Sequence, residues 1–311
     1  MGSVLSVLWN WIPRKSKGTV IGKKLREAIV RPFLRQNYQE TYHTEKDWDN
    51  LVILDSCRYD TFKKENFLEG DLGKINSAGS HTWEFMKKNF EGDHRDTVYI
   101  SANPQLGLIH GKFAEVYYVW EEHWNDEKNT VMPSDVTEVA KKAAREHPDK
   151  KLVIHYMQPH YPFIGPEGQK IRNQGSYKFL DGKERKEKVN IWEKVFKGEI
   201  DIDTVKKAYE ENLRQVLHEV GKLEEFLEGK TVVTSDHGNL FGKKVVRWIP
   251  YRIYGHPMNF HEKELTSVPW LELPFEKRKD IETSESSKKS ARTDEDMKKV
   301  EKRLEDLGYL E

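Results

Sequence analysis

Asp236 and His237, followed by Gly238, close a short β-branched run at 231–234 whose Thr, Val, Val and Thr predict a buried strand. A carboxylate beside an imidazole at a strand end offers a hard oxygen and a borderline nitrogen, half of a site for a divalent cation. A second strand end lies far upstream, where Leu51-Val52-Ile53-Leu54 runs into Asp55. Two carboxylates and one imidazole supply three protein ligands and leave a position open, the plan of a catalytic metal. The open position calls for a nucleophile. Thr82, after the Gly79-Ser80-His81 turn, carries a hydroxyl that attacks poorly alone and needs metal coordination. A helix beginning there would also turn backbone N–H groups toward a phosphate. Plainer readings compete: Asp-His-Gly also makes a polar turn, and Thr82 also makes an ordinary N-cap. Gly238 is expected to let the backbone leave the strand in a conformation other residues avoid.

These residues need a sheet to bring them together. Apolar runs at 51–54, 97–101, 116–120, 152–157 and 231–234 read as strands, and a loop is expected through Gly70 and Gly73. Helices are expected at 83–89, at 134–146 with Ser134 as N-cap, and at 203–227, where Val205, Tyr209, Leu213, Val216, Leu217 and Val220 recur at helical spacing. Strand–helix–strand alternation predicts an α/β fold with a largely parallel central sheet flanked by helices. Pro159 and Pro162 stiffen the loop that holds His160. The polar stretch 165–188 reads as an insertion or lid.

The boundaries expected are a basic amphipathic arm at 1–46, a catalytic domain at 47–274, and a charged linker with a short helix at 275–311. Lys+Arg and Asp+Glu both total 52, so there is no basic field to recruit nucleic acid. The single Cys57 excludes an internal disulfide and a cysteine zinc cage, and it fits a reducing compartment. The expectation is a cytoplasmic protein. No apolar run is long enough for a membrane-spanning helix. Trp9 and Trp11 followed by Arg14, Lys15 and Lys17 suit either peripheral contact with an anionic membrane or a helix packed on the domain.

Taken in order, Leu51-Val52-Ile53-Leu54-Asp55, Ser80-His81-Thr82, His160-Tyr161-Pro162-Phe163 and Thr234-Ser235-Asp236-His237-Gly238 resemble the alkaline phosphatase/sulfatase superfamily. The resemblance runs from about Trp48 to Trp270, and its most specific piece is Ser-Asp-His-Gly followed by Leu240 and Gly242. It implies an α/β sandwich around a mixed sheet. By that match Asp55, Asp236 and His237 hold a metal, and Thr82 is the metal-bound nucleophile that becomes phosphorylated. Sulfatases convert a Cys or Ser in a C/S-x-P-x-R motif to formylglycine. Thr82-Trp83-Glu84-Phe85-Met86 has neither the convertible residue nor the Pro and Arg. An acid followed by Ser, with a Thr nucleophile, is closer to the phosphoglycerol and phosphoethanolamine transferase branch.

The resemblance gives His160 a substrate contact. His256, in Gly255-His256-Pro257, is then a substrate ligand or a proton donor to the leaving group, against the reading of an exposed turn. Arg58 either clamps a phosphate bidentately or pairs with Asp60. His155 is a core histidine or a further site residue; Asn76, Trp83 and Gln158 are lesser candidates. One divalent metal is expected, manganese or zinc by its donors, and a second would draw on His160 and His256. The activity implied is phosphoester hydrolysis or phosphotransfer through a phospho-threonine, on a substrate that is lipid- or glycan-linked or free. A sulfatase-like or phosphonate hydrolase without formylglycine, and a non-catalytic binding member of the superfamily, stand as alternatives.

Overall fold

The structure is a computed structural model that describes residues 39–173, 178–180, 183–185, 191–244, 252–285 and 292–307. Most of the expected N-terminal arm, and parts of the stretches at 165–188 and 275–311, lie outside the described residues.

Seven strands form one sheet: β1 Asn50–Leu54, β2 Asp71–Asn76, β3 Gly92–Ser101, β4 Gly111–Tyr118, β5 Lys151–Tyr156, β6 Thr231–Thr234 and β7 Ser267–Glu272. Their spatial order is β2-β7-β6-β1-β5-β3-β4. β1 pairs parallel to both β6 and β5, and β3 pairs parallel to β5 and β4. β7 runs antiparallel to its neighbours β6 and β2, so the sheet is mixed and largely parallel. Five helices matter for the site: α1 Tyr59–Glu65, α2 Thr82–Phe90, α3 Pro133–Glu146, α4 Ile202–Glu224 and α5 Asp294–Asp306.

Central β1 is buried along its whole length, as expected where helices cover both faces of a parallel sheet. Val52 and Leu54 point into one core with Val136 and Ala140 of α3 and Leu213, Val216 and Leu217 of α4. Leu51 and Ile53 point into the other, with Phe85, Met86 and Phe90 of α2. Strand periodicity of two thus joins two apolar layers through a single strand. Val300 and Leu304 of α5 enter the first of these cores. The charged stretch before α5 is tied down as well: Arg278 meets Asp49 at 2.7 Å, and Lys279 Nζ donates to Asn50 Oδ1 at 2.8 Å.

Several sequence expectations need correction. The expected loop around Gly73 is strand β2, an edge strand with no fully buried residue and so without an apolar signature. The strand expected at 116–120 ends at Tyr118, and Val119–Glu122 is a short helix. Ser134 is not the N-cap of α3. Pro133 occupies the first turn and Met132 caps it with backbone alone, which suits a residue without an N–H to satisfy. Gly238 is not at positive φ. Its role is space: a Cβ there would sit 2.0 Å from the Glu264 carbonyl oxygen.

Candidate active site

The site lies beyond the carboxyl ends of β1, β5, β6 and β3, where ligands gather in open α/β sheets. Asp55 follows β1 directly. Asp236 and His237 follow β6 after Ser235. All three are fully buried, and their ligand atoms lie within 4.8 Å of one another. Thr82, the first residue of α2, brings its Oγ1 to 3.1 Å from His237 Nε2 and 3.5 Å from Asp55 Oδ2. His81, not Thr82, caps the helix: its Nδ1 accepts the Trp83 N–H at 3.1 Å. The threonine hydroxyl is therefore turned to the site, and one of the helix's leading amides is already spent.

Each of these side chains is oriented by its neighbours. Asp236 Oδ1 accepts the backbone N–H of Ser56 and of His237, both at 2.8 Å. Asp55 Oδ2 accepts Asn103 Nδ2 at 2.7 Å. His237 Nδ1–H donates to the Gly238 carbonyl at 2.7 Å, which leaves the Nε2 lone pair facing the site. Asp55 Oδ1 and Asp236 Oδ2 are buried without a partner. Asp236 Oδ2 also lies 3.3 Å from His237 Nε2, lone pair against lone pair unless a cation lies between them. Burial, and then the charge of Asp236, push the Asp55 carboxyl well above its usual range. Burial acts on Asp236 in the same sense, but His237, His155 and the Ser56 N–H hold it below that range. Two unit charges ~4 Å apart repel by roughly 4 kcal/mol at an effective dielectric near ~20. The donor set therefore fits one divalent cation, with carboxylate oxygen, imidazole nitrogen and a hydroxyl around it.

Four more histidines surround this set. His160 Nε2 lies 3.0 Å from His256 Nε2, and the His256 ring sits 4.6 Å from that of His237. His81 stands 5.1 Å from His256. His160 Nδ1 donates to the Tyr161 carbonyl, and burial lowers its pKa to about 4. His155 is buried, with Nδ1 against Tyr99 OH at 3.1 Å and Nε2 3.8 Å from Asp55 Oδ2. Arg58 lies outside the metal set: Nε and Nη2 grip Asp60 at 2.8 and 2.5 Å, and Nη1 donates to the Asn239 carbonyl at 2.7 Å. Gln158 donates to the Val131 carbonyl at 3.0 Å, and Asn76 to the Gln39 carbonyl at 3.3 Å, so both are bonded away from the ligands.

Three further side chains hold the loops in place. Tyr209 OH of α4 donates to the Ser56 carbonyl at 2.7 Å and accepts the Arg58 N–H at 2.9 Å. Asn212, one position short of a full turn on, donates to the His160 and Pro162 carbonyls at 3.2 Å and accepts the Ile164 N–H at 2.8 Å. Glu84 accepts from Ser80 N and Oγ and from Asn259 N, at 2.8 to 3.0 Å, and so joins the Thr82 turn to the loop after His256. An i, i+3 pair on one helix face was the available clue for Tyr209 and Asn212.

No family model matches the chain, and no curated protein matches it. Among solved structures it is similar to the C-terminal periplasmic domain of EcEptC from Escherichia coli in complex with zinc. That match has 14% identity and a TM-score of 0.45, covering 76% of this chain and 75% of that one. It is also similar to the integral membrane protein lipooligosaccharide phosphoethanolamine transferase A from Neisseria meningitidis, at 12% identity and a TM-score of 0.48. Here 84% of this chain and 55% of that one are covered. A protein of the alkaline phosphatase superfamily from Vibrio parahaemolyticus matches at 11% identity and a TM-score of 0.41, over 83% and 65%. The proteins found are of the superfamily, and of the transferase branch, that the motifs resemble. The expected cytoplasmic location is corrected by the same comparison, because the Escherichia coli domain is a periplasmic one.

Proposed function

We propose that this protein is a metal-dependent phosphoester-transfer enzyme in which Thr82 is the nucleophile. The observation that carries the reading is the Thr82 hydroxyl, 3.1 Å from His237 Nε2, on a buried Asp55, Asp236 and His237 set with two unpartnered carboxylate oxygens. These four residues would hold one divalent cation, with manganese or zinc best suited to the donors. When bound, such a cation lowers the pKa of a coordinated hydroxyl and neutralises phosphoryl oxygens.

Thr82 Oγ1 gives up its proton and forms a bond to phosphorus as the bond to the ester oxygen breaks; the departing oxygen takes up a proton, and phospho-threonine and a free alcohol result. Water or an acceptor alcohol then attacks in line and restores the hydroxyl, so hydrolase and transferase differ only in the second acceptor. With its pKa near 4, His160 is neutral at pH 7 and serves as an acceptor that orients His256. Proton delivery to the leaving oxygen falls to His256. Arg58 stays with Asp60 and supports the loop from outside. A lipid- or glycan-linked phosphoester is the substrate class, in keeping with the lipooligosaccharide transferase to which the chain is similar.

The test is metal content by mass spectrometry, with hydrolysis of p-nitrophenyl phosphate, bis-p-nitrophenyl phosphate and p-nitrophenyl sulfate by wild type and Thr82→Ala. One metal per chain with Thr82-dependent phosphoester cleavage is expected. Cleavage of the sulfate ester alone, or full activity without the Thr82 hydroxyl, would overturn the proposal.

A further inference from the structure

Asn103 has no place in the motifs, yet its side chain reaches the floor of the site. It sits two residues beyond the end of β3, next to Pro104, and is fully buried. Its amide faces two ways. Nδ2 donates to Asp55 Oδ2 at 2.7 Å, while Oδ1 accepts the Gln105 N–H at 2.9 Å and so caps the 3-10 turn Pro104–Leu108. Its backbone is clamped by Ser101, whose Oγ accepts the Asn103 N–H and donates to the Asn103 carbonyl, both at 3.0 Å. Reversing the amide would set an oxygen against the Asp55 carboxylate and an N–H against an N–H. The network therefore fixes its orientation.

The turn that carries Asn103 is wedged from behind. Val300 of α5 lies so close to Gly107 that an added Cβ would come within 2.8 Å of Val300 Cγ2. Asn103 is thus held at three points while it holds Asp55. The consequence lies in the two oxygens of Asp55. Oδ2 is engaged by Asn103, with Thr82 at 3.5 Å, whereas Oδ1 is buried without a partner. An amide is well suited to this task, because it satisfies one carboxylate oxygen without a positive charge that would compete with a cation for the other.

We propose that Asn103 is a positioning residue that turns Asp55 Oδ1 toward the cation. This inference rests on the cation site proposed above. Its test is direct zinc affinity, measured by competition with a chromophoric chelator, in wild type, Asn103→Ser, Asn103→Gly and Leu304→Ala. Ser and Gly both suit an N-cap position and so keep the turn, but neither can reach Asp55. Leu304→Ala weakens the α5 contact with the core and leaves Asn103 intact.

Both Asn103 variants should bind zinc about 10- to 100-fold more weakly, the usual loss when a residue that orients a metal ligand is removed. Both should stay folded, but the unfolding temperature of their metal-free forms should fall, because Asp55 Oδ2 is left buried without its donor. Leu304→Ala should lower that temperature and leave zinc affinity unchanged. Wild-type affinity in either folded Asn103 variant, or an equal affinity loss in Leu304→Ala, would overturn the inference. If wild type binds zinc but cleaves no phosphoester, the proposed reaction fails and the affinities still decide the role of Asn103. If wild type binds no zinc, both readings fall.

Discussion

The backbone N–H of Ser56, the residue after Asp55, donates to Asp236 Oδ1 at 2.8 Å. One amide thus links the end of β1 to the end of β6 and aims the second carboxylate of the site. Ser56 reaches this position at φ 62, in the left-handed region, and Tyr209 OH on its carbonyl keeps it there. A main-chain amide thus orients Asp236, and a side chain, Tyr209, holds that amide's residue in place.

Asp236→Asn keeps the volume and an oxygen to accept the Ser56 and His237 amides, but it removes the charge. The fold should survive, and metal affinity should fall by at least the roughly 100-fold that losing a supporting residue costs. Metal content after dialysis checks this. A full complement of metal in the variant would remove Asp236 from the ligand set.

Thr82→Ala should retain metal through Asp55, Asp236 and His237 while phosphoester turnover is lost. Thr82→Ser should recover part of the activity, since it restores a hydroxyl with fewer constraints on its rotamer. Phosphopeptide mapping after brief exposure to substrate should find the phosphate on residue 82 in wild type. Phosphate on another residue would reassign the nucleophile.

Tyr209→Phe deletes a hydroxyl that serves the Ser56 carbonyl and the Arg58 N–H at once. Groups left buried and unpaired cost about 1–3 kcal/mol, so urea unfolding should show a loss in that range. Because Ser56 aims Asp236, zinc affinity should fall too. A stability change below about 0.5 kcal/mol, the scale of surface substitutions, would count against this role.

His43 supplies a pH dependence. It is fully buried beneath β6, with Nε2 3.2 Å from Thr234 Oγ1 and the Ser235 carbonyl, and burial lowers its pKa from 6.5 to about 4. The unfolded chain takes up a proton near pH 6.5, while the folded one resists until pH falls to about 4. The contribution is therefore present above the unfolded value and lost as pH falls through that window. A shift of this size corresponds to something on the order of 3 kcal/mol. Denaturant midpoints between pH 7 and 4 should show a steeper decline in wild type than in His43→Gln; parallel curves would exclude His43 as the cause.

Fold and site were legible to different degrees, and for different reasons. β1 and β6 announce themselves because central strands are apolar on both faces, and their polar successors Asp55, Asp236 and His237 stand out against that background. β2 did not, because an edge strand paired on one side only needs no apolar face. The start of α3 is hard to read because Ser134 carries the preferred capping side chain, while the helix begins at Pro133 with a backbone cap. Gly238 is needed for space and not for its backbone conformation. Its constraint is a carbonyl of Glu264, a residue distant in sequence, and no local rule contains that contact.

What the sequence alone determined is the set of chemical groups and the strand ends that carry them. Residue type fixes which atoms can bind a cation or attack phosphorus, and the apolar pattern decides where the sheet ends. Only the tertiary structure decided which oxygen of each carboxylate is free, which ring nitrogen of His237 faces the site, and that Asn103, Tyr209, Asn212 and Glu84 hold these groups in place. Those choices are made by hydrogen bonds between residues far apart in the chain. Such bonds depend on angles and distances that arise only once the sheet has brought its loops together.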